Sequence, residues 1–593
     1  MSVNALLAVL LVSTFVANGV VSLWATKSPL HWFVRTAIVL GTLSPLLLAG
    51  AFEPFATLLL QSTTIAAIGR FWRHTEVLNT DESAIQSQRH RFSLASVLLA
   101  VGLVATLLAI GIRMPELNNN AWLSMVLIGI CSGLCVSVAQ VGPQQGSRWR
   151  TIALVLPCGL LFAIPLAWLD WLVPSLVGWA GWPPESINFG GGFMGILDEE
   201  RPLALWFAVC VCLAAFMYFW RLLMLRSKTN RNRLLLVVTV AAMSIPPLIA
   251  LWVLLRPVIV DPMELPFPNA YVRLVEIGDS IAASQFDENE LDWEAAPVPE
   301  LSGILLGIRD DLNELNDLLQ RPAKVPVDYQ SDDLRTDAMM NFRTTAKALR
   351  AKGELALRTD NPELACRCFV DAIRLGVSCR NGGLLVDGLV GIATSAEGSW
   401  PLYVHRDSYP KPTCLEAASE IESLSNDIEP FESFKARDRV WTQATMGWHG
   451  RLQQFLFETT GSSLLFSDED IRDQFLAEQA MMRLLAVELA LRAFYLDNNY
   501  WPASDKELAP AYIPTLPRDP FDKANKRLRY VRTEDGYRLY SLGVNRADDG
   551  GEPATESDGL FARYGGAGDL RLSDYFLIES SSNEDAENVD EGF

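Results

Sequence analysis

The sequence predicts a multi-domain protein: a polytopic α-helical membrane bundle of about seven spans, a mostly α-helical exported domain, and a small α+β domain. Three observations lead there. Apolar runs of membrane-crossing length crowd residues 1–260, helical periodicity dominates 261–470, and a proline-punctuated, strand-like stretch occupies 471–578. Charge divides the chain in the same way. Up to Arg256 there are 16 Lys+Arg and 10 Asp+Glu, about +6, and the remaining residues carry about −26. An acidic second part with nothing to neutralise a phosphate backbone argues against nucleic acid as a partner.

A helix crossing ~30 Å of hydrocarbon needs about 20 apolar residues. Runs of that kind lie near 3–24, 33–52, 92–113, 121–141, 151–173, 203–225 and 234–255. The piece from Phe55 to Trp72 is interrupted by Gln61, Ser62, Thr63 and Thr64 after a Glu53-Pro54 break. It reads as an interfacial helix, with an eighth span as the alternative. Arg70, Arg73, Arg89 and Arg91 flank one short loop, Arg148 and Arg150 a second, and Arg226, Lys228, Arg231 and Arg233 a third. Positive loops stay inside, so the N-terminus is expected in the cytoplasm and everything after about Asp261 outside the cytoplasmic (inner) membrane. Glu53, Asp170 and Arg221 fall near span ends, where snorkelling accounts for them, so the bundle reads as an anchor. Pro157, Pro165, Pro246 and Pro247 could instead kink spans around a cavity, as in a transporter or membrane enzyme.

In 261–470, Gly and Pro are sparse within the helical runs. RTDNPELACRCFVDAIRLG, Arg358 to Gly376, follows a helix ending in GELAL and places Ala365, Phe369 and Ala372 on one face. Asp360-Asn361-Pro362 supplies the turn and the next helix start. The pair resembles a single tetratricopeptide-type hairpin, which implies a protein- or peptide-binding surface; no second copy follows at the family's period. Gly278-Asp279-Ser280 is similar to a lipase nucleophile block, yet YVRLVEIGDSIAASQF reads as helix. Glu199-Glu200-Arg201 reads as a solvated loop cluster. Cys131, Cys135, Cys158, Cys210 and Cys212 sit in apolar runs as small buried side chains. Cys366, Cys368, Cys379 and Cys414 leave a disulfide open, and five histidines, none spaced to pair with them, argue against zinc.

The last part begins with an amphipathic helix from about Asp473, whose stripe holds Phe475, Leu476, Met482, Leu485, Leu489 and Phe494. In FYLDNNYWPAS, Asn498 or Asn499 can adopt the left-handed conformation that ends a helix, and Pro502 forbids its resumption. Pro514, Pro517 and Pro520 give an extended segment. RLRYVRTEDGYRLYSLG, Arg527 to Gly543, alternates and folds at Glu534-Asp535-Gly536 as a β-hairpin. VNRADDGG, Val544 to Gly551, follows as a loop of oxygen donors, and residues 579–593 form an acidic tail expected to be disordered.

Helix, YLDNNYWP, YIPTLPRDPF, a hairpin ending YSLG, then VNRADDGG: this order resembles the globular domain of the type II secretion system major pseudopilin, over about Leu485 to Leu570. The resemblance implies a structural calcium ion in the loop after the hairpin. The matching positions are Asn545, Asp548 and Asp549, with Asp569 or Asp558 completing the set across an insertion from Glu552 to Gly568. Calcium takes six to eight oxygen ligands in irregular geometry, which a Gly-rich acidic loop can offer. Unlike pseudopilins, this chain places the corresponding helix near residue 473, after a large domain and with charges along it, so filament assembly is not expected. No catalytic residues are indicated. The expected role is a non-catalytic envelope scaffold or adaptor linked to type II secretion or pilus-like machinery, with the lipid bilayer and an envelope protein as partners. The alternative is a transporter or membrane enzyme with a regulatory extracytoplasmic region.

Overall fold

The computed structural model describes residues 3–80, 128–130, 132–137, 213, 216, 230–261, 263–284, 296–460, 468–534, 536–552 and 568–573. Two compact units emerge, one of residues 1–258 with 442–462, the other of 259–441 with 463–593.

In the first unit, α1 (Val3–Lys27), α2 (Trp32–Leu48), α3 (Phe52–Thr80) and α4 (Asn230–Leu255) share an apolar core that includes Leu11, Phe15, Leu43, Leu60, Ala250 and Leu254. The expected bundle of about seven spans is corrected here. Among the described residues one helical stretch, Val9–Lys27, is long and apolar enough to cross a membrane. Helix α2 stops after 17 residues at a turn through Gly50, φ +71°. Helix α4 opens with Asn230-Arg231-Asn232-Arg233, and among the described residues its apolar stretch is Ala241–Leu255. The runs at 92–113 and 151–173, nearly all of 203–225 and more than half of 121–141 lie outside the described residues, as do Asp170, Glu199, Glu200, Arg201 and Arg221.

The piece from Phe55 to Trp72 is part of the unbroken α3, with Ala56 to Ser62 buried and Ala66, Ala67 and Arg70 exposed. Its polar residues turn inward to α1. Asn18 Nδ2 donates to Gln61 Oε1 (2.8 Å) and to the Leu58 carbonyl (2.8 Å), and Gln61 Nε2 donates to the Phe15 carbonyl (3.0 Å). Ser22 donates to Ser62 at 2.8 Å. A periodicity count reads these side chains as an interruption; folded, they bond across the seam between two apolar helices.

The second unit is mostly helical. Helix α5 (Ala270–Ala282) carries the Gly278-Asp279-Ser280 triplet on regular helix, where Ser280 donates to Asp311 (2.9 Å), so the strand-to-helix elbow of a lipase is not formed there. After α6 (Val298–Gly307) and α7 (Arg309–Leu318) comes the expected hairpin, α8 (Thr336–Arg358) and α9 (Pro362–Arg380). Asp360 turns at φ +59°, Asn361 caps α9 by accepting from the Leu364 N–H, and Pro362 occupies the first turn. Ala365, Phe369 and Ala372 are fully buried, and Phe369 fills the space over Gly353 that a Cβ would occupy. Cys366, Cys368, Cys379 and Cys414 are free and buried, and burial pushes the Cys368 thiol up to about 12.

Glycine is denser here than a helical run suggests. Helix α10 (Leu385–Val404) contains Gly388, Gly391 and Gly398, and lies so close on α9 that a Cβ at Gly391 would stand 2.7 Å from the Gly376 carbonyl. Helix α11 (Lys411–Asp427), followed by α12 (Phe431–Thr445), packs on α14 (Asp468–Asn498). One buried cluster contains Phe369 and Ile373 of α9, Ile421 of α11, Leu485 and Leu489 of α14, and Leu528 and Leu539 of the hairpin beyond. Among the described residues the α+β part has one two-stranded sheet, β1 (Arg529–Arg532) antiparallel to β2 (Tyr537–Tyr540), with Arg529 opposite Tyr540 and Arg532 opposite Tyr537.

Gly398→Ala would drive a methyl group into the backbone carbonyl of Phe369, which cannot rotate away. Chemical denaturation of the full chain should show a loss of about 1–3 kcal/mol, whereas Ala substitution of Gly303, which lies inside α6 with open space around it, should stabilise by about 0.5–1 kcal/mol.

Candidate functional site

The site grows from the end of α14. Asn499 takes φ +58° and closes the helix, and the chain folds back so that Trp501 packs on Tyr495 (ring centroids 4.5 Å) and Tyr537 (4.6 Å). This aromatic layer seats β2 against α14. Beneath it Glu488 accepts from the Tyr537 hydroxyl at 2.5 Å, with Arg406 Nε 3.8 Å away. Burial pushes the Glu488 carboxyl up, while the Tyr537 hydroxyl and Arg406 pull it down.

The proline-rich segment is fixed by Asp519. Its Oδ1 accepts from the Phe521 N–H (3.0 Å) and the Ser541 hydroxyl (2.7 Å), and its Oδ2 accepts from the Leu542 N–H (2.9 Å). Sequence reading missed this role, although an Asp between Arg518 and Pro520 in a turn is a residue type that bonds backbone N–H groups.

Beyond β2 the chain turns through Gly543 (φ +67°), Arg546 (φ +58°), Gly550 (φ +73°) and Gly551 (φ +83°). The four expected metal ligands come to this loop. Asp569 returns to it because Ser541 and Leu570 exchange backbone hydrogen bonds (2.8 and 3.0 Å) and the Asp569 N–H donates to the Glu552 carbonyl (2.8 Å). Thus the two ends of the insertion meet. Asp558 lies outside the described residues.

The ligands differ in state. Asn545 Nδ2 donates to Asp549 Oδ2 at 2.7 Å, and Asn545 Oδ1 accepts from the Ala547 N–H at 3.0 Å. Asp548 Oδ1 accepts from the Tyr540 hydroxyl (3.1 Å) and the Gly550 N–H (3.2 Å), with Arg529 Nε 3.5 Å from Oδ2. Asp569 is fully buried: its Oδ2 accepts from the Gly551 N–H at 2.6 Å, and its Oδ1 has no hydrogen-bond partner. Burial pushes the Asp569 carboxyl above the ordinary carboxylate range. The backbone N–H groups of Gly551 and Asp549 oppose that rise, and the carboxylate charges of Asp548 and Asp549 add to it.

By chemistry the set fits a hard cation: oxygen donors, a buried carboxylate with one oxygen left over, and mutually repelling acids. By geometry it is only part-assembled. Among the described residues no three His, Cys, Asp or Glu side chains converge as a metal-holding group, because Asn545, Asp548 and Asp549 are engaged with the loop itself.

No family model, curated protein or solved structure matches this chain.

A carboxyl raised in the folded state stabilises fully at low pH, and that contribution is lost as pH rises through the folded value. Asp569→Asn should therefore melt progressively higher relative to the parent as pH rises from about 4 to 7 in chelator, measured by scanning calorimetry on the full chain in detergent.

Proposed function

We propose that this chain is a membrane-anchored, non-catalytic scaffold or adaptor that presents its acidic helical and hairpin-bearing part outside the cytoplasmic membrane, for a protein partner in the envelope. The observation that carries the reading is apolar surface on the first unit. Beside the long apolar α1, helices α2 and α4 leave Phe33, Leu48 (82% exposed), Leu248 and Trp252 (65% exposed) uncovered. Surface of that kind is favourable against lipid and costly in water. The basic clusters of the sequence at Arg148 and Arg150 and from Arg226 to Arg233 support the orientation.

The motif order resembling the pseudopilin domain supports an envelope role beside type II secretion or pilus-like machinery. In this reading a calcium ion is structural. Asp569 Oδ1 would be its buried ligand, with Asp548, Asp549 and Asn545 turning toward it from the loop. The charge it brings would remove the cost of three acids held together. The hairpin α8–α9, similar to a tetratricopeptide unit, is the surface proposed for the envelope partner.

Two measurements test this. Alkaline phosphatase fused after Phe593 should be active and a fluorescent protein at the same point dark; the reverse pattern refutes the orientation. Calcium at about 100 times its dissociation constant should stabilise the full chain by about 2.7 kcal/mol, an effect that Asp569→Asn removes and magnesium does not reproduce.

A further inference from the structure

Residues 442–462 lie in the middle of the acidic, water-facing part of the sequence, yet they fold with the first unit. Helix α13 (Gly447–Thr460) starts at Gly447, φ +57°, and spaces Trp448, Leu452 and Leu456 at four-residue intervals. All three are buried in the same apolar cluster as Leu11, Phe15 and Val16 of α1 and Ala250 and Leu254 of α4. On the other side of the helix from this stripe, Gln454 is half-buried and Glu458 is exposed, and Gln453 flanks the stripe half-buried.

One side chain joins this helix to the end of α4. Arg451 Nη1 donates to the Leu254 carbonyl at 2.8 Å, and its Nε donates to the Gln443 carbonyl at 3.3 Å. The last carbonyls of a helix lack intrahelical donors and carry partial negative charge, so a guanidinium there satisfies both needs. At the same end of α4 the exposed Trp252 ring lies 5.9 Å from the Arg256 guanidinium. An exposed Trp beside Arg is the combination that collects where hydrocarbon meets water.

We infer that residues 442–462 are a second membrane attachment: an amphipathic helix seated on α1 and α4 at the lipid headgroup layer, by which the water-facing part of the chain returns to the bilayer. The inference rests on the membrane reading above. It makes the exported part of the chain bound to the membrane independently of the covalent link at 256–269.

The test cuts that link. A protease site is inserted between Glu264 and Leu265 in the full chain, which is reconstituted in vesicles of phosphatidylethanolamine and phosphatidylglycerol. The vesicles are cut to completion, washed in high salt and floated. The expected result is that the C-terminal fragment floats with the vesicles. Leu452→Asp with Leu456→Asp should lower the floating fraction of the cut fragment by about tenfold or more, since both leucines are buried in the apolar cluster that the inference invokes. Arg451→Gln, which keeps the apolar stripe, should lower it by a smaller factor. Loss of the cut parent fragment from the vesicles overturns the inference, as does equal flotation of the cut parent and the double variant. An uncut parent chain that fails to float refutes the membrane reading itself, and so the two failures are distinguishable.

Discussion

The second unit depends on a buried ion pair. Arg380, at the end of α9, is fully buried and bonds Glu478 on α14, while Arg380 Nε and Nη2, Glu478 Oε1 and the neighbouring Gln474 Nε2 have no hydrogen-bond partners. Charges taken out of water are costly, and removing one partner of such a pair is costlier than never having built it. Arg380 is therefore held by packing as well as by charge. Gly391 leaves room for its Cβ and Cδ, and Gly388 leaves room for the Phe475 ring, which meets Phe431 and Phe434 edge-on or tilted. With α9 and α14 locked together, the α8–α9 hairpin and the part that bears β1 and β2 share one core that runs across residue 470.

That locking explains why the hairpin can be so small. A two-stranded sheet alone is marginal in water. Here β1 and β2 sit on the aromatic layer of Tyr495, Trp501, Tyr530 and Tyr537, and Asp519 bolts the proline segment to the residues after β2. The acidic loop hangs from this scaffold by the Ser541–Leu570 bridge, which keeps Asp569 buried while Asn545, Asp548 and Asp549 stay at the surface. Rigid support on one side and adaptable donors on the other suit a cation that tolerates irregular coordination.

In the first unit, polar atoms decide the packing. Asn18, Ser22, Gln61 and Ser62 satisfy one another and the carbonyls of Phe15 and Leu58 across α1 and α3. Arg451 does the same for the Leu254 carbonyl from a segment 197 positions away in sequence. In both places a residue that lowers the hydrophobicity of its own stretch raises the stability of a contact between stretches.

Local chemistry was legible in the sequence. The cap at Asn361-Pro362, a left-handed stop at the Asn498-Asn499 pair, the existence of the β-hairpin (its register was set in the fold) and the buried face of Ala365, Phe369 and Ala372 all follow from short-range rules of φ, capping and side-chain period. So did the composition of the acidic loop, though not its state of assembly. Tertiary structure alone decided the rest: that Arg380 finds Glu478, that Asp569 returns beside Gly551, that Gln61 faces Asn18, and that 442–462 folds with α1 and α4. The physical reason is common to all four. A hydropathy window prices a polar or charged side chain by its exposure to an average medium, whereas its free energy in the folded chain is set by one particular partner, and that partner is distant in sequence.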